Sequence, residues 1–242
     1  MASNRAVVSS FLLFSLCCFH LSALPLAAAA AATPEKVRLE LYYETLCPYC
    51  SRFIVSFLSK IFEDGLISIV DLNLVPYGNA RVASDGTITC QHGPYECLLN
   101  TIEACAISAW PDVKVHFSFI YCVEQLVVEH RYGEWESCFQ TTGLESQPVL
   151  DCQNNGYGEK LELKYAAETD ALDPPHRYVP WVVVNGQPLY DDYETFEAEV
   201  CKAYNGDLPK ACGGLLLTAA PQLRAYKRDQ VCYANDAVSS PL

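Results

Sequence analysis

Cys47 and Cys50 flank Pro48 and Tyr49, and two thiols at this spacing can close and reopen a disulfide. Their setting matters more than the spacing alone. Val37, Leu39, Leu41 and Tyr43 alternate with Arg38, Glu40 and Tyr42, the period of a strand with one buried face. From Pro48 onward Phe53, Ile54, Phe57, Leu58, Ile61 and Phe62 recur at one-, three- and four-residue steps and stop at Gly65, which predicts a helix with a broad apolar face. The pair therefore lies where a strand hands over to a helix. Cys47 falls at the N-cap, its sulfur near unpaired backbone N–H groups and the positive end of the helix dipole, both of which favour thiolate. Pro48 suits the first helical position, and Cys50 lies within reach of Cys47. The chemistry expected is thiol–disulfide exchange, with Cys47 attacking and Cys50 resolving.

The elements that must position this pair can be followed along the chain. Leu66 to Val75 is an apolar, β-branched run ending at Pro76, as in a strand buried on both faces, and β-α-β order implies parallel strands with a right-handed crossover. After a polar loop from Tyr77 to Thr89 the pattern is helical for about 80 residues. Pro94 opens a first helix, a second runs from Val113 to Val128, a third from Trp135 to Gln140 and a fourth from Lys160 to Leu172. Beyond Asp173-Pro174-Pro175, Trp181 to Val184 reads as a strand. Asn185-Gly186 is a tight hairpin turn, Gln187 to Tyr190 a returning strand, and Tyr193 to Tyr204 a closing helix. Val179-Pro180 precedes the strong strand, where a thioredoxin-type fold places a cis-proline beside its nucleophilic cysteine. These two residues are the expected substrate-binding main chain. The fold class predicted is α/β: a thioredoxin-like β-α-β / β-β-α sheet over residues 33–212, with an inserted disulfide-rich helical subdomain at about 80–172. Residues 213–242 show no clear pattern and read as a C-terminal tail, mobile after Cys232.

Composition bounds the rest. A chain of 242 residues with 51% hydrophobic and 19% charged residues can bury a core and is not disordered throughout. A net charge of −13 opposes broad contact with a phosphate backbone, so nucleic acid is an unlikely partner class. Residues 1–32 read as a signal peptide: Arg5, an apolar stretch from Ala6 to Leu26, then the Ala27–Ala32 run of small residues. No stable membrane insertion is expected of the remainder. Thirteen cysteines point to an oxidising compartment. Losing Cys17 and Cys18 with the leader leaves eleven, an odd number, so one at least stays reduced or pairs outside the chain.

A second cluster follows the polar loop: Cys90-Gln91-His92-Gly93, Glu96-Cys97, Asn100, then Cys105. With the CxxC upstream, it resembles the signature of the gamma-interferon-inducible lysosomal thiol reductase family at every fixed position. The resemblance covers roughly Val37 to Cys212. It implies a thioredoxin-like fold with a helical insertion, reduction of protein disulfides at acidic pH, and catalysis by Cys47 and Cys50. The Pro-Tyr dipeptide between them is also typical of glutaredoxins. Animal members are similar in reaching lysosomes through tags on N-glycans. This sequence contains no Asn-x-Ser/Thr sequon, so vacuole or secretion stands beside the lysosome as the expected destination.

The remaining candidates have plainer readings. His92, in a helix-entry loop between two cysteines, is expected to hold that loop through hydrogen bonds rather than shuttle protons. Most of the nine other cysteines are staples. Cys232, near the terminus, is the candidate for a free thiol or a disulfide-linked homodimer. No cofactor or metal is expected, since the CxxC lacks a second CxxC to complete a zinc site. The partners are disulfide-bearing protein substrates and an external thiol reductant. Two other functions fit the same residues: an oxidase or isomerase of the secretory pathway, and a non-enzymatic disulfide-framed binding protein.

Overall fold

The computed structural model describes residues 33–218 and 230–234; the expected signal peptide and the end of the expected tail lie outside them. The central sheet has four strands in the order β2 (Val70–Pro76), β1 (Val37–Tyr43), β6 (Trp181–Val184) and β7 (Gln187–Pro188). Strands β1 (Val37–Tyr43) and β2 (Val70–Pro76) run parallel, Val37 opposite Val70 and Tyr43 opposite Pro76. Between them the chain is helical from α1 (Pro48–Phe53) through a π-helical turn (Ile54–Leu58) to α2 (Lys60–Glu63). This is the expected β-α-β crossover. Strand β6 (Trp181–Val184) pairs antiparallel with β1, and β7 (Gln187–Pro188) folds back on β6. The turn between them has Asn185 and Gly186 both at positive φ, 47° and 77°, as the two-residue hairpin requires. The sheet neighbours agree with a thioredoxin-like α/β fold.

Between β2 and the next sheet strand lie a small hairpin, β3 (Arg81–Val82) with β4 (Ile88–Thr89), and five helices. These are α3 (Pro94–Ala109), α4 (Val113–Val128), α5 (Ser137–Thr142), α6 (Gln147–Asn154) and α7 (Tyr157–Asp170). Short α6 was not legible in the sequence because only Val149 and Cys152 of it are buried, too few to set a period. A short strand β5 (Tyr178–Val179) follows, and after β7 come a 3₁₀ segment (Tyr190–Thr195), α8 (Phe196–Ala203) and α9 (Lys210–Thr218). The closing helix expected at Tyr193 thus divides into a 3₁₀ turn and α8.

Three clusters of buried side chains hold these layers. Leu39, Leu41 and Tyr43 of β1, with Val182 and Val184 of β6, pack against Phe53, Ile54 and Leu58 and against Phe196 and Val200 of α8. On the opposite face Tyr42, Val75, Trp181 and Val183 meet Ala104 of α3 and Tyr165 and Ala166 of α7. The helical insertion has its own cluster around Leu99, Ile102, Phe119, Val123 and Phe139. Strand β1 was expected to bury one face, yet its C-terminal end buries both, because α3 and α7 cover the second. Conversely, β2 is buried only at its ends, with Asp71 exposed.

Disulfides Cys105–Cys152 and Cys122–Cys138 tie α3 to α6 and α4 to α5; Cys90–Cys97 closes the entry to α3, and Cys201–Cys212 joins α8 to α9. Helix α7 comes close to α3 at Gly158. A Cβ there would meet Thr101 Cγ2 and lie 3.2 Å from Cys105 Sγ. Neither neighbour yields freely: Thr101 Oγ1 donates to the Cys97 carbonyl, and Cys105 is bonded to Cys152. Helix propensity alone would reward Gly158→Ala by up to about 1 kcal/mol, whereas overpacking costs about 1–3 kcal/mol. The expected outcome is a net loss in the urea unfolding midpoint; a gain would show that α3 and α7 can separate without cost.

Candidate active site

Cys47 is the N-cap of α1, extended at φ −75° and ψ 116°, with Pro48 in the first turn. Its carbonyl accepts from the N–H groups of Cys50 and Ser51 at 3.0 and 3.1 Å. The Ser51 hydroxyl bonds the carbonyls of Thr45 and Cys47, both at 3.2 Å. The turn is thus held from the helix side. Across from it Cys47 Sγ lies 3.9 Å from the Val179 carbonyl oxygen, and the Val179–Pro180 peptide is cis. The structure brings together the four residues singled out in the sequence: Cys47, Cys50, Val179 and Pro180.

The residues of the second motif grip the same turn from the other side. Asn100 Oδ1 accepts from the Thr45 N–H at 3.0 Å, and Thr45 Oγ1 donates to the Glu96 carbonyl at 3.4 Å. His92 Nδ1 lies 2.6 Å from Glu96 Oε2 and 3.4 Å from Glu44 Oε1, while the His92 N–H donates to Glu96 Oε1 at 3.0 Å. His92 therefore ties loop to helix, as expected, and also reaches Glu44, which the sequence did not suggest. Glu44 is wholly buried and accepts from the Asn79 N–H at 2.8 Å. Gly78 makes this fit: its φ is +58°, and a Cβ would stand 2.6 Å from Glu44 Cβ. Glu44, His92 and Glu96 bring ligand atoms within 4.8 Å of one another. His92 stands between the two carboxyl groups, hydrogen-bonded to Glu96 and 3.4 Å from Glu44.

Five carboxyl groups, of Glu44, Glu96, Glu103, Glu124 and Glu162, are almost fully shielded from water. None of the ion pairs made by Lys or Arg among the described residues involves them. Burial, with the charge of Glu96, raises the Glu44 carboxyl well above its ordinary range. Burial likewise pushes Glu103 up to about 8, against the opposing hydrogen bond from Tyr43 Oη at 2.5 Å. Burial and then the charge of Glu103 raise both Glu124 and Glu162. Burial, followed by the charge of Glu44, holds the Cys50 thiol well above the usual thiol range. Glu44, Glu103, Glu124 and Glu162 thus all hold a proton more tightly than an exposed carboxyl does.

The largest departure from expectation is at Cys232. It is neither free nor placed to leave the chain: it is bonded to Cys47, with the Cα atoms 6.2 Å apart. The cause is a strand absent from the sequence reading, β8 (Cys232–Tyr233), which pairs antiparallel with β5, Tyr178 opposite Tyr233 and Val179 opposite Cys232. A two-residue strand has no period to detect, and its partner is more than 50 residues away. The odd cysteine is Cys50, buried and the one free cysteine among the described residues. Cys47 and Cys50 are not bonded to each other in this structure. Glu44 and Asn79 also escaped the sequence reading, for lack of any motif.

Comparison with known proteins bears on this arrangement. The family described as gamma interferon inducible lysosomal thiol reductase (GILT) matches residues 38–142, which contain both motifs. A gamma-interferon-responsive lysosomal thiol protein of Arabidopsis thaliana is 46% identical over 86% of this chain and 89% of its own length. The gamma-interferon-inducible lysosomal thiol reductase of Mus musculus is 38% identical over 79% of this chain and 77% of its own. Among solved structures, oxidised DsbA from Mycobacterium tuberculosis superposes with a TM-score of 0.51 at 20% identity, over 79% of this chain and 93% of that one. That likeness concerns the fold alone. Relatives this similar along most of their length settle the family: this chain is a member of the gamma-interferon-inducible lysosomal thiol reductases, a thiol–disulfide oxidoreductase acting on disulfide-containing substrates.

Proposed function

We propose that Cys47 is the attacking thiol and Cys50 the resolving thiol of a reductase working on polypeptide disulfides in an acidic compartment of the secretory route, lysosome or vacuole. The observation that carries the roles is the bond from Cys47 to a cysteine on an extended strand, with Cys50 left as a thiol in the first turn of α1. In the productive cycle Cys47 thiolate attacks a substrate sulfur and the other substrate sulfur leaves. Cys50 then sheds its proton and attacks Cys47, releasing the second sulfur and leaving Cys47–Cys50 oxidised. An external thiol returns the pair to the dithiol. The raised Cys50 thiol keeps the resolving group protonated until it is needed, so the two sulfurs do not compete for the substrate. With Cys47→Ser, insulin-disulfide reduction should fall to the uncatalysed rate, and the Cys50→Ser/Cys232→Ser protein, in which Cys47 is left unoccupied, should accumulate substrate-linked enzyme on non-reducing gels. Full turnover by the Cys47→Ser protein would sink the assignment.

The acidic setting rests on the buried carboxyls and on the word lysosomal in the names of the relatives. Glu103 titrates at about 8 in the folded chain against an ordinary 4.5. A raised acid binds its proton more tightly when folded, so its contribution to stability is complete below about pH 4.5 and is lost as pH rises towards 8. Glu44, Glu124 and Glu162 act with the same sign. His116 and His176, lowered by burial, act oppositely below their ordinary 6.5, but they are two groups against four and less deeply buried. Among the described residues, no helix is long and apolar enough to cross a membrane. The urea midpoint should therefore fall steadily from pH 4.5 to 8, and Glu103→Gln should flatten that slope. A midpoint that rises over this interval would overturn the acid-adapted reading.

A further inference from the structure

Residues 230–234 lie against the site, with Cys232–Tyr233 as strand β8, and are held mainly through the backbone. The Ala234 N–H donates to the Arg177 carbonyl at 3.3 Å, and β8 pairs with β5. On the other side, side-chain donors reach four of the five carbonyls in the segment. Tyr193 Oη bonds Gln230 O at 2.8 Å, Asn79 Nδ2 bonds Cys232 O at 3.0 Å, Gln91 Nε2 bonds Tyr233 O at 2.8 Å, and Arg81 Nη2 bonds Ala234 O at 2.9 Å. Asn79 Nδ2 also donates to Gln91 Oε1 at 2.7 Å, so the two amides orient each other, and Glu44 fixes the Asn79 backbone from beneath. Side-chain contacts come from the Cys232 sulfur, the Tyr233 ring, edge-on to Tyr178 with centroids 5.7 Å apart, and Val231, packed against the buried clusters on both sides of the sheet; the hydrogen bonds described are to the backbone. Contacts of this kind accept almost any sequence that can lie extended with a cysteine at the right position.

We propose that Asn79, Gln91 and Arg81 form, opposite Val179, the second wall of a groove for an extended polypeptide strand, and that residues 230–234 occupy this groove as the chain's own substrate through the Cys47–Cys232 disulfide. This rests on the roles given above to Cys47 and Cys50. A purely structural bond at this position would consume the attacking sulfur of a thiol reductase, and Cys50 stands free beside it. Release needs no oxidant or reductant. Cys50 loses its proton and attacks Cys47 Sγ, the Cys47–Cys50 bond forms as Cys47–Cys232 breaks, and Cys232 leaves as thiolate and takes up a proton. An external thiol then reduces Cys47–Cys50, and a substrate strand can enter the vacated groove.

Two measurements on the full chain test this. In the Cys50→Ser protein, where the exchange is blocked, non-reducing peptide mapping should recover Cys47 linked to Cys232; Cys232 alkylated in quantity would overturn the internal-substrate proposal. In the Cys50→Ser/Cys232→Ser protein, Cys47 should form its adduct with a thionitrobenzoate-activated peptide Gln-Val-Cys-Tyr-Ala about tenfold faster than with activated free cysteine. Asn79→Ala/Gln91→Ala should collapse that ratio towards one, and Gln91→Glu, which keeps the size but loses the donor, should lower it. A ratio unchanged in both variants would remove the second wall. The catalytic reading fails separately, only if Cys47→Ser still reduces insulin.

Discussion

Everything near Cys47 depends on a carboxyl group shut away from water directly beneath it. Glu44 leaves the end of β1 pointing inward, where an acid without partners would cost several kcal/mol. The surrounding chain is arranged to meet that demand. The loop after β2 bends over it at Gly78 and supplies the Asn79 N–H, and the entry to α3 supplies His92. Those same groups fix the turn that carries the CxxC. The buried acid and the active-site geometry are therefore one requirement: a loop shaped to satisfy Glu44 is a loop that presents Asn79 and Gln91 to whatever lies across Cys47.

The second motif takes on a physical meaning in this light. Cys90 and Cys97 close the loop, His92 and Glu96 hold its end to the first turn of α3, and Asn100 reaches the Thr45 backbone. None of these side chains needs to take part in bond making. They convert an insertion between two strands of the sheet into a clamp on the strand-to-helix turn. The separate hydrophobic cluster of that insertion, reinforced by Cys105–Cys152 and Cys122–Cys138, gives the clamp a rigid base.

What could be read from the sequence followed periodicity and local turn chemistry. The alternation in β1, the apolar face after Pro48, Asn185-Gly186 and the long helices α3 and α4 all announce themselves within a short window, and so does the CxxC at their junction. Glu44 and Asn79 did not, because a lone polar residue acquires its role only from what the fold stacks upon it. Cys232 was misplaced for a related reason. Its position depends on a two-residue strand meeting another two-residue strand far back in the chain, and neither is long enough to leave a pattern. Parity of the cysteine count carries no address; geometry leaves Cys50 as the free thiol among the described residues.

The tie between Cys201 and Cys212 has a consequence beyond stability. It anchors α9 to α8, so Cys232 belongs to a stretch that starts only twenty residues earlier at a fixed point of the fold. A thiol carried on the same chain meets its target at an effective concentration that does not change with the dilution of the protein. Competition at Cys47 then favours valency over abundance. A small thiol brings one sulfur and no strand, whereas an unfolded polypeptide brings both, and can match the internal segment contact for contact.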